Sequence, residues 1–180
     1  MTGPTVVDPQ GRRRSYRPGQ VAVAVLVAGM LAMWGYVLYL AFGPGRQAPP
    51  DRLDDPIFAP AAQARCEEAL AEVAELPRAV ETPSAAERAE VVARANESFA
   101  AMLDDLDRLV PGGEDATLVR AWLADWRTYL ADREAYATAL RSDPDAQLLV
   151  SAKNSQQITE YLDAFAGDNR MAACATPIDV

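Results

Sequence analysis

Few residues in this chain have the types and spacing that chemistry requires. Among its 180 residues there is no histidine. Imidazole supplies the general base of Ser-His-Asp and Cys-His arrangements and is the commonest zinc ligand, so those routes are closed. Carboxylates, tyrosines and Lys153, the single lysine among 17 basic residues, remain. No glycine-rich phosphate cradle and no close metal-ligand cluster organises them. The expectation is a protein that is not an enzyme and that needs no metal, redox or nucleotide cofactor.

Three groups of residues still invite a functional reading. Cys66 and Cys174 are the only cysteines. A redox catalyst would need a close Cys-x-x-Cys pair, which is missing. Both lie in the part of the chain assigned below to an oxidising compartment, where an even count favours a disulfide. The alternative is two unpaired thiols, one on the apolar face of a helix. Asp104, Asp105 and Asp107 resemble a metal cluster until they are placed on a helix. Adjacent helical residues point about 100° apart, so Asp104 and Asp105 do not readily chelate one ion. With Glu87, Glu90, Arg94, Glu97 and Arg108 they read as a solvated, mixed-charge face. Asn96-Glu97-Ser98 matches a glycosylation triplet but falls in mid-helix.

The stretch from Trp122 to Tyr136 is the most unusual. Trp122, Trp126, Tyr129, Arg133 and Tyr136 share one helical face, so an arginine interrupts an aromatic stripe. One reading is a cation–π-lined site for an anionic ligand or a partner's carboxylate. The other is a core face packed inward, with Arg133 paired to a carboxylate or carbonyl of the first domain helix or the C-terminal segment.

What must position these residues begins with Val21 to Phe42, about 22 residues without a charge. At 1.5 Å rise per residue this spans roughly 33 Å, against about 30 Å for a bilayer's hydrocarbon core. Arg12, Arg13, Arg14 and Arg17 precede it against Asp8 alone, whereas the rest of the chain carries 13 basic and 25 acidic residues. The positive-inside rule therefore assigns residues 1–20 to the cytoplasm, 21–42 to a transmembrane helix and the remainder to the extracytoplasmic side. Trp34, Tyr36 and Tyr39 stand where an aromatic belt would meet the outer interface. A cleaved signal peptide is the rival, but its apolar core is usually 7–15 residues, and no small-x-small cleavage site follows this one. Ala24, Ala28 and Ala32 form a small-xxx-small row that would let two copies pack as a homodimer. The net charge of −12 beyond the segment repels phosphate backbones, which excludes nucleic acid as a partner.

Residues 43–60 hold five prolines and no hydrophobic period, as in a semi-extended spacer. Residues 61–180 then read as an all-α domain of three to four helices. Cys66, Ala69, Leu70, Val73 and Leu76 place the first at Ala61–Leu76. Ser84 and Glu87 have capping-box spacing and open a second, with Val91, Val92, Ala95, Phe99, Met102, Leu106 and Leu109 as its stripe. Pro111-Gly112-Gly113 stops it, and the third runs from Asp115 to Arg141 as its antiparallel neighbour. Residues 147–151 suit either a short strand or a helical turn. A last helix covers Ile158 to Phe165 and ends at Gly167.

Asp125-Trp126-Arg127-Thr128-Tyr129-Leu130 with Asp132, Arg133 and Tyr136, and the ending from Asn169 through Cys174 and Pro177 to Val180, resemble uncharacterised single-pass membrane proteins of actinobacteria. The resemblance implies the same anchored architecture and a structural role for Cys174, and carries no activity with it. The expected function is a membrane-anchored envelope protein whose helical ectodomain binds a protein partner, as an accessory subunit of a membrane complex. The alternative is an extracytoplasmic domain that senses or binds a small ligand.

Overall fold

Pro18–Phe42 form one 25-residue helix, α1. Proline suits its first position, where the missing N–H would have no partner anyway. The structure, a computed structural model, describes residues 18–42 and 49–178. The expected basic tail with its four arginines, residues 43–48 of the spacer, and Asp179 and Val180 lie outside the described residues. The chain divides into two units, one containing α1 and the other starting at Pro49. Gly19–Leu40 is long and apolar enough to cross a membrane, and none of it is buried.

The second unit is all-α: α2 (Phe58–Ala74), α3 (Ala85–Arg108), α4 (Asp115–Leu140) and α5 (Ile158–Asp168), with a minimal hairpin of β1 (Ala152–Lys153) and β2 (Gln156–Gln157). Arg141 meets Glu90, Arg133 meets Asn96 and Arg127 meets Asp107. Rising numbers on α4 thus meet falling numbers on α3, which makes the two helices antiparallel. The expected faces are the buried ones. Val119, Trp122, Trp126, Tyr129, Tyr136 and Leu140 of α4 are all buried, as are Val91, Val92, Ala95, Phe99, Met102 and Leu106 of α3. Leu109 is not, because it is the C-cap of α3 and has already turned away from the stripe. Gly113, at φ +69°, makes the turn that follows.

Core burial outweighs the surface charges here. Arg65 pairs with Glu68 and Asp105, Asp105 also with Arg108, and Asp107 with Arg127. Pairs at or near the surface contribute about 0–1 kcal/mol each where exposed, against roughly 1.5–3 kcal/mol for each large apolar side chain fully buried. The aspartate run is divided between α2, α3 and α4 arginines, as expected of a charged face.

The spacer is shorter than its prolines suggest. Asp55 Oδ1 accepts from the backbone N–H of Ile57 at 2.8 Å and of Phe58 at 2.6 Å, so α2 starts at Phe58 rather than at Ala61. Pro60 falls in the first turn, where helical N–H groups have no intrahelical partner and proline is tolerated. The segment just before it is held to the domain by side chains. Asp115 accepts from the N–H of Asp54 (3.0 Å) and Asp55 (2.7 Å). Buried Asn169 donates to the carbonyls of Asp51 (2.9 Å) and Phe165 (3.0 Å) and accepts from Leu53 N–H (2.8 Å). Asn169→Ala is expected to cost about 1–3 kcal/mol, because it strips Leu53 N–H and Asp51 O of their partner, while Phe165 O keeps the backbone N–H of residue 169. Amide exchange at Leu53 should accelerate more than that of α4 core amides; equal protection in both proteins would refute the strap.

At the far end, α5 runs through Gly167 to Asp168. Its terminator is Arg170 at φ +60°, with Met171 N–H bonded to Ala166 O at 2.8 Å and Arg170 N–H to Gly167 O at 3.2 Å. This is a Schellman ending with arginine where glycine is usual. It sets buried Met171 into the core and leaves Asn169 free to hold the strap, which a stop at Gly167 would not do. Residues 147–151 are neither strand nor helical turn. Ser151 is fastened to Asp132 of α4 through its N–H (2.7 Å) and hydroxyl (2.9 Å), and the hairpin lies just beyond. Asn154 (φ 49°) and Ser155 (φ 67°) form its left-handed two-residue turn.

Candidate functional site

The aromatic face of α4 is the place to look for a site, since Arg133 is the most deeply buried charge among the described residues. It is 0 % exposed, with Trp126 at 1 % and Tyr129 at 3 %. Helical spacing puts Arg133 one turn beyond Tyr129 and two beyond Trp126, facing α3. Its Nε donates to Asn96 Oδ1 at 2.7 Å. Its guanidinium carbon stands 5.2 Å from the Phe99 ring centre and 5.8 Å from that of Tyr129. The Trp126 ring is 6.2 Å from Phe99 and edge-on to Tyr129 at 5.7 Å.

These contacts have calculable weight. Desolvating a guanidinium costs several kcal/mol. A charged hydrogen bond returns about 1.5–3 kcal/mol, and desolvated cation–π contacts about 2 kcal/mol. The geometry offsets much of the burial cost, as a structural arginine requires. Asn96 is one side-chain partner, one residue from the Ala95 that an antiparallel ladder places opposite Arg133. Asn96 of α3 was not among the partners expected for Arg133. Asn96 Nδ2 and Trp126 Nε1 have no hydrogen-bond partner among the described residues.

The five stripe residues do not converge on one cavity. Trp122 turns to α5, stacking on Phe165 at 5.2 Å and donating from Nε1 to Leu162 O at 3.4 Å. Tyr136, two turns beyond Tyr129, joins a smaller apolar cluster with Ala79, Val92 and Leu140. Trp126, Tyr129 and Arg133 face α3 between them. The stripe therefore packs in the core along the length of α4, and all five side chains are buried.

The other familiar residues also take architectural roles. Asp132 holds Ser151, and Asp125 pairs with Lys153 Nζ at 2.6 Å, which also lies 5.2 Å over the Tyr161 ring. Asn169 holds the strap. Cys66 and Cys174 are joined, with Cα atoms 5.2 Å apart, so neither offers a thiolate nucleophile. Asn96 and Asn169 are the structural residues that the sequence reading passed over. Asn96 did carry a signal, because it lies four residues after Val92 and three before Phe99, inside the buried stripe.

Concavities on the surface of the helical unit include a small one of about 280 Å³ beside Asn96 and two of more than twice that volume. A cleft of about 730 Å³ lies between the 77–83 linker, α3 and Arg141, and four of its charged residues pair as Arg78–Glu81 (2.7 Å) and Arg141–Glu90 (3.1 Å). A groove of about 650 Å³ runs between α2, α3 and the 172–178 tail. Leu70, Val73, Leu76 and Val91 line it, and Arg78 is its one charged residue among those described. The groove brings no acid and base together among its described lining residues. No family model, no curated protein and no solved structure matches this chain.

Proposed function

We propose that the protein is a non-enzymatic, membrane-anchored protein of the cell envelope whose helical domain binds a protein partner, as an accessory subunit of a membrane complex. The observation that carries the anchoring is α1: an uncharged stretch of bilayer length with every described side chain exposed. In water that surface is unfavourable; in lipid it is the stable state, because a helix satisfies its own backbone groups. The excess of arginine before it and of carboxylate after it supports a cytoplasmic N-terminus. A reporter that works only outside the cytoplasm, fused after Val180, is expected to be active. Mature protein beginning near Gln47 on N-terminal sequencing would overturn the uncleaved anchor.

The apolar groove favours a protein partner over a small-ligand sensor. A sensing pocket encloses its ligand and orients it with several convergent polar groups, and this groove is lined mainly by apolar side chains, with Arg78 its one charge among the described residues. Val73, half-buried in its wall, is the residue to change. Mild detergent extraction of the whole chain should retain a stoichiometric protein, and Val73→Glu should weaken that association at least about tenfold while the helical circular dichroism persists. Retention at full strength would refute the groove as the docking surface, and a shift in melting temperature with small metabolites, with no protein retained, would favour the sensor.

A further inference from the structure

We draw no further inference here: the strongest candidate, the apolar groove of about 650 Å³ between α2, α3 and the 172–178 tail, is open along its length and nothing in the structure shows what covers it.

Discussion

Trp126→Ala is expected to destabilise the domain by about 3–5 kcal/mol, the range for removing a large aromatic side chain from a packed core. The ring is 1 % exposed and touches Phe99 and Tyr129, so its loss opens a cavity that rigid helices on either side cannot close. Against a total stability of about 5–15 kcal/mol for a small domain, that is a large share. Trp126→Phe separates packing from polarity. It keeps most of the ring and deletes an indole N–H that has no partner among the described residues, so its cost should be well below that of alanine. Urea denaturation of the three proteins checks the order. If Trp126→Ala leaves stability unchanged but abolishes partner binding, the stripe is a recognition face and the core reading is wrong.

How much of this was legible in the sequence depends on the kind of signal. Periodicity carried the all-α class and the pairing of α3 with α4, because apolar stripes repeat over 24 and 26 residues and one short loop joins them. Ser84 was legible for a local reason: its hydroxyl accepts from Glu87 N–H at 3.2 Å, three residues away. Element ends were harder. Pro60 and Gly167 look like boundaries, yet both lie inside helices, since the real stops are set by Asp55 and by the bond from Met171 to Ala166. The strap was invisible, because Asn169 reaches Leu53 across 116 residues and no periodic pattern records such a bond. The candidate site shows the same division. Which face of α4 holds Trp126 and Arg133 follows from spacing, but the identity of Asn96 as partner depends on how two helices register. That register is set by packing to within less than one turn.

Removing the Cys66–Cys174 bond is expected to cost about 2–5 kcal/mol. The bond spans 108 residues, and the chain-entropy account gives about 4.7 kcal/mol for a loop of about 100. Native-state contacts will not replace it, although they keep the tail in place. Ala173 N–H donates to Gln63 Oε1 at 3.0 Å, Thr176 is bonded to Asp163, and Met171 is fully buried. The cross-link acts chiefly on the unfolded chain, so the native fold should survive its loss while the midpoint of urea denaturation falls. Alanine is the substitution to use, because a serine hydroxyl at either site would be buried at 0–1 % exposure and add its own desolvation cost. Cys66→Ala, Cys174→Ala and the double variant should then be about equally destabilised, since either change removes the whole bond. Additive losses would mean that the two side chains contribute by packing and not as a cross-link. Alkylation of the denatured, unreduced protein gives an independent check: neither cysteine should be labelled, and labelling of both would end the proposal that this domain matures in an oxidising compartment.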